Sequence, residues 1–198
     1  MSRLQDIPAE ETDFLAQVLS KDSKNYHVWS YRQWLVKHFN LWAEDGPGGE
    51  IELDYTDELI KADVRNNSAW NHRYFILYNK PGQTSLPVPV IEREILYAKE
   101  KIQLAPQNQS AWNYLKGVLR YAKRSIRELK SVAQKYANVD GSFDVTSSYA
   151  LDVLADIWAE EKDSENAAKA LDLLGSKYDP IRKNYWNWRK TKLATAAA

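Results

Sequence analysis

Apolar and polar positions repeat along this chain on two scales. On the short scale they recur at i, i+4, i+7 and i+11, which places residues on one stripe of a helix turning by about 100° per residue. Asn25, Trp29, Arg32 and Val36 share such a stripe, as do Asn66, Trp70, Arg73 and Leu77, and Asn108, Trp112, Leu115 and Leu119. A second amphipathic segment precedes each stripe. Phe14, Leu15, Val18 and Leu19 mark the first, Ile51, Tyr55, Leu59 and Ile60 the second, and Ile91, Ile95, Ala98 and Ile102 the third. On the long scale Asn-x3-Trp-x2-Arg appears at Asn25/Trp29/Arg32 and Asn66/Trp70/Arg73, with an altered third copy at Asn108/Trp112/Leu115. The tryptophans are 41 and then 42 residues apart. Such a period marks stacked helical hairpins. The expected fold is all-α, an α-α superhelix, that is, a single solenoid over 1–193 with repeats near 12–40, 50–79 and 90–121.

The punctuation agrees with hairpins. An aliphatic residue lies six before each motif asparagine (Leu19, Ile60, Ile102), and Asp22, Asp63 or Ala105-Pro106 occupies the turn. Asp45-Gly46-Pro47-Gly48-Gly49 and the stretch from Pro81-Gly82 to Pro89 read as breakers between hairpins. Beyond Ala122 the register weakens. Leu151, Leu154, Ile157 and Trp158, then Ala167, Leu171 and Leu174, predict further helices within 146–193. Asn184 and Trp188 restore the Asn-x3-Trp spacing, and 194–198 reads as a disordered tail.

Composition narrows the function. Lysine plus arginine (27) equals aspartate plus glutamate (27), so no net field selects nucleic acid or an anionic membrane. No cysteine is present, and His27, His38 and His72 are scattered, so no metal-ligand spacing exists. No apolar run approaches the ~18 residues of a membrane span, and the N-terminus has no secretory h-region, so a cytoplasmic protein is expected. Eight tryptophans and twelve tyrosines are an excess, pointing to a broad partner surface besides a core. There is no nucleophile elbow, phosphate-binding glycine loop or paired-carboxylate constellation. Any catalysis would need a second chain.

The motif residues suit burial between hairpins: tryptophan fills volume, arginine stacks on an aromatic face and pairs with a turn carboxylate, and asparagine satisfies backbone groups where helices meet, with Asp22 and Asp63 expected either to partner the arginines or to cap the following helix. Lys24, Tyr26 and His27 flank Asn25 at a predicted helix start, where backbone N–H groups and the dipole favour an anion. Two packed aromatics beside a solvated lysine is the plainer reading. The equivalent residues Arg65, Asn67 and Ser68, and Gln107, Gln109 and Ser110, are different.

Lys24-Asn25-Tyr26-His27-Val28-Trp29-Ser30-Tyr31-Arg32-Gln33-Trp34, the segment from Asp63 to Phe75 and that from Gln109 to Gly117 resemble the repeats of protein prenyltransferase α subunits. The order of fillers is more similar to the α subunit shared by farnesyltransferase and type I geranylgeranyltransferase than to the Rab-type subunit. The resemblance implies a helical crescent around a β subunit, which holds the zinc and activates the thiol of a CaaX protein. It implies transfer of a farnesyl or geranylgeranyl group from its diphosphate, with magnesium accompanying the diphosphate and no cofactor bound by this chain. Lys24, Asn25, Tyr26 and His27 would face the isoprenoid diphosphate, while Trp29, Arg32, Asn66, Trp70, Arg73, Asn108 and Trp112 are structural. The family's leaving-group lysine lies one repeat earlier than the copy matched by Lys24, so this chain is expected to lack that repeat and no residue is assigned as catalytic. A non-catalytic helical-repeat scaffold for protein partners is the alternative.

Overall fold

The computed structural model describes residues 9–43 and 47–197, and among these all regular structure is helical. The chain divides into two compact units, 1–87 and 88–198. The first contains α1 (Ala9–Lys21), α2 (Tyr26–Phe39), α3 (Pro47–Ala62) and α4 (Asn67–Tyr78). The second contains α5 (Val88–Leu104), α6 (Gln109–Tyr121), a 3-10 turn, α7 (Lys130–Ala133), α8 (Ser148–Glu160), α9 (Ser164–Leu173) and α10 (Lys183–Ala197). Helices α1–α2, α3–α4 and α5–α6 are the three expected hairpins.

Each hairpin closes in the same way. Asn25, Asn66 and Asn108 are the N-caps of α2, α4 and α6, their side-chain oxygens accepting from Val28 N, from Ser68 N and Ala69 N, and from Ser110 N. Each cap answers donors that a helix start leaves unpaired. The tryptophan one turn later donates its indole N–H back into the inter-helix turn: Trp29 to Ser23 O at 2.9 Å, Trp70 to Val64 O at 2.9 Å and Trp112 to Pro106 O at 2.8 Å. Asparagine thus starts the helix and tryptophan locks the loop before it. The aliphatic residues six before the caps, Leu19, Ile60 and Ile102, are fully buried.

Several local expectations are corrected. Phe14 and Ile51 do not enter the core. The turn carboxylates do not pair with the motif arginines. Asp22 and Asp63 accept instead from the backbone N–H groups of Lys24 and Arg65, folding the turn itself. Pro47–Gly49 is the first turn of α3 rather than a loop, since proline suits a helix start; residues 44–46 of that expected breaker lie outside the described residues. The spacing of Asn184 and Trp188 is not a fourth motif. Asn184 lies inside α10, Trp188 is exposed, and the buried indole is Trp186, which donates to Asp179 at the preceding turn. The segment read as a tail continues α10 to Ala197, and residue 198 lies outside the described residues. Ser147 caps α8 in place of asparagine, its hydroxyl accepting from Ala150 N and donating to Pro106 O at 2.5 Å.

Candidate functional site

The start of α2 brings Lys24, Asn25, Tyr26 and His27 onto one edge of the first unit. Asn25 is held from below, accepting from Val28 N and donating to Asp22 Oδ2 at 3.3 Å. Trp29 is buried behind it. Tyr26 is 77% exposed and meets the His27 ring edge-on at 5.6 Å. Lys24 reaches the next turn, with Nζ 3.9 Å from Asp63 Oδ2; this exposed, long pair leaves the ammonium in water and costs little to break. The Asn66 side chain also donates to Ser23 O, so the turns of the two hairpins abut. The edge therefore presents a cation, a phenol, an imidazole and a helix N-terminus to solvent, a combination suited to an oxyanion.

The remaining motif residues are buried and structural in their contacts. Arg32 lies under the surface, stacked 3.7 Å from the Tyr55 ring centre and donating two hydrogen bonds to Glu52, at 2.8 and 2.7 Å. Glu52 also bonds His72 Nε2 at 2.8 Å, and Trp29 packs 5.1 Å from the His72 ring. Burial pushes the Glu52 carboxyl up, but the bonds from His72 and Arg32 outweigh it and hold it below the usual carboxylate range. Burial likewise drives His72 below an ordinary imidazole, so it is neutral and donates Nε2–H. Arg73 reaches Leu53 O and Thr56 Oγ1, each at 3.5 Å. Glu52 was missed because its partners come from neighbouring helices. The signal was present: Glu11, Glu52 and Glu94 repeat with the tryptophan period, each 20 residues before Tyr31, His72 and Tyr114.

The second unit offers a cavity of about 450 Å³ bordered by Lys116, Asp152, Asp156, Tyr185, Trp188 and Arg189. Its charges answer one another. Lys116 lies 3.0 Å from Asp156, and Arg189 pairs with both aspartates. Among the described residues no group of three or more His, Cys, Asp or Glu side chains is arranged to hold a metal ion, and no helix is long and apolar enough to cross a membrane.

Residues 8–39, 50–80 and 91–122 match the protein prenyltransferase alpha subunit repeat, which are the three hairpins built on Asn25, Asn66 and Asn108. The chain is 41% identical over 188 residues to a protein farnesyltransferase/geranylgeranyltransferase type-1 subunit alpha of Candida albicans. That match covers 95% of this chain and 59% of the relative. The chain belongs to the protein prenyltransferase α-subunit family. The Arabidopsis thaliana protein of the same name is 36% identical over 167 residues, 76% of this chain and 51% of the relative. A solved structure, Candida albicans protein geranylgeranyltransferase-I complexed with GGPP, superposes with a TM-score of 0.86 over 95% of this chain and 60% of that chain, at 41% identity. The fold class is thus the all-α, α-α superhelical one of this family, and the chain spans half to three-fifths of the type-1 α subunits it matches.

Proposed function

We propose that this chain acts as the α subunit of a heterodimeric CaaX protein prenyltransferase in the cytoplasm. Its β subunit would take a farnesyl or geranylgeranyl diphosphate and a protein with a C-terminal cysteine. A carbon–sulfur bond forms as the carbon–oxygen bond to diphosphate breaks. The observation that carries this reading is the likeness at 41% identity over nearly the whole chain to a prenyltransferase α subunit, joined to the TM-score of 0.86 against a GGPP-bound relative.

Within that assembly Lys24, Tyr26 and His27 are assigned to the diphosphate-facing edge, with Asn25 and Trp29 holding them in place. The phenol donates a hydrogen bond to a phosphate oxygen, and the ammonium and helix start stabilise negative charge that grows as the diphosphate leaves. As the family resemblance implies, zinc, which would hold the substrate thiolate, is assigned to the β subunit. Magnesium, where used, would ride on the diphosphate. No residue here is assigned as the catalytic acid or base.

Co-purification with a type I β subunit tests the assembly. The expected result is a one-to-one complex that binds geranylgeranyl diphosphate. A chain that stays alone beside a folded β subunit contradicts the reading, and points to a scaffold for other proteins.

A further inference from the structure

The turn ahead of α2 is held from the hairpin that follows it. Ser23 O accepts the Trp29 indole N–H at 2.9 Å and the Asn66 side-chain amide at 3.4 Å. The same arrangement recurs in the second unit, where Pro106 O accepts from the Trp112 indole at 2.8 Å and from the Ser147 hydroxyl at 2.5 Å. Asn66 and Ser147 are the N-caps of α4 and α8. A carbonyl locked by its own tryptophan is thus locked again by a later cap.

Trp29 itself rests on the second hairpin. Its ring lies 5.1 Å from His72 of α4 and 6.4 Å from Tyr55 of α3. The His72 ring is oriented by one bond, Nε2–H to Glu52 at 2.8 Å, because Nδ1 has no hydrogen-bond partner among the described residues. Glu52 is fixed in turn by two bonds from Arg32 of α2, at 2.8 and 2.7 Å. These contacts close a circuit from α2 to Glu52, to His72, to Trp29 and back to the turn that carries Lys24. Arg32, Glu52, His72 and Trp29 are all buried, and a close-packed interior transmits displacement rather than absorbing it.

Resting on the diphosphate-facing reading of Lys24, Tyr26 and His27, we propose that His72 and Asn66 are positioning residues for that edge. They touch no substrate. His72 supports Trp29 and Asn66 holds Ser23 O, and together they set where the start of α2 stands. Misplacing a reacting group by about 1 Å can cost up to ~100-fold in rate, so support two layers beneath the diphosphate is felt in turnover. The third hairpin shows which residue can replace His72. Tyr114 stands at the same register and donates to Glu94 at 2.6 Å, supplying both a ring and a donor.

The test is a double-mutant cycle in the heterodimer with a type I β subunit, combining His72→Gln with Tyr26→Phe. Glutamine keeps a donor for Glu52 and removes the ring beneath Trp29. His72→Gln should lower kcat/KM for geranylgeranyl diphosphate about tenfold alone, but less than about threefold in the presence of Tyr26→Phe, because it acts by placing that phenol. His72→Tyr should restore at least about a third of the rate. In the 198-residue chain, His72→Gln should speed amide exchange at Val28 and Trp29 about tenfold relative to the middle of α3. If His72→Gln does not fold, Asn66→Asp carries the same two measurements, since aspartate keeps the cap and loses the donor to Ser23 O. Losses that multiply in full, or exchange that quickens evenly along the chain, overturn the proposal and leave the diphosphate-facing reading standing, because a general loss of stability produces both. A Tyr26→Phe pair that transfers at the unaltered rate removes that reading, and the positioning role falls with it.

Discussion

At the scale of single residues, the repeated asparagines and tryptophans perform the same two tasks in each hairpin, but not with equal load. Asn66 accepts from two backbone N–H groups and donates to Ser23 O of the neighbouring turn, whereas Asn25 accepts from one. Asn66→Ala should therefore cost about 2 kcal/mol in urea unfolding and Asn25→Ala about 1 kcal/mol; equal losses would show that the link to Ser23 contributes nothing. Glu52 is the more sensitive point. Glu52→Gln leaves the Arg32 guanidinium buried without its countercharge and should cost about 3–5 kcal/mol. The proton linkage at this site has one sign. Glu52 and His72 both titrate lower in the folded chain than in the unfolded one, so both contribute fully above their unfolded pKa values and lose stability as pH falls. The loss begins below the imidazole value of 6.5 and deepens below the carboxylate value of 4.5. Unfolding free energy measured from pH 7.5 to 5 should decline, and His72→Gln should flatten that decline. An unchanged slope in the variant would place the titration elsewhere. The asparagine and tryptophan positions were legible because one helix stripe carries them. The arginine's partner was not, because Glu52 lies on another helix and a single-helix periodicity is blind to it.

At the scale of elements, helix existence was more legible than helix ends. All three hairpins and the helices around Leu151 and Leu171 stand where the apolar spacing placed them. The start of α3 did not read correctly, because Pro47-Gly48-Gly49 resembles a break when local propensity alone is considered. Tertiary contact explains the exception: a Cβ on Gly49 would collide with the Trp42 carbonyl, so glycine there allows α3 to begin against the end of the first hairpin. Gly49→Ala should destabilise the chain by about 1–3 kcal/mol despite the better helix propensity of alanine. A stabilised variant would show that the close approach relaxes freely. In the last helix the Asn-x3-Trp spacing misled for a related reason. Asn184 sits inside α10 rather than at its cap, so the matching indole turns to water and Trp186 takes the buried place.

At the scale of the molecule, the repeat supplies the family and the departures between copies suggest the function. Where the second and third copies carry Arg65, Asn67 and Ser68, or Gln107, Gln109 and Ser110, the first carries Lys24, Tyr26 and His27 and exposes them. That contrast was visible in the sequence, since a fixed period makes any specialised copy stand out. What the residues alone could not identify is the β subunit of the proposed heterodimer; that part came through resemblance. The most direct test is prenyl transfer by the purified pair of this chain and a type I β subunit, using a dansylated CaaX peptide and geranylgeranyl diphosphate. The account predicts that Tyr26→Phe leaves the heterodimer and the melting temperature unchanged but lowers kcat/KM by about tenfold, corresponding to the loss of about 1.4 kcal/mol from one hydrogen bond to the departing diphosphate. A Tyr26→Phe pair that transfers the prenyl group at the unaltered rate would contradict the placement of this edge at the reacting diphosphate.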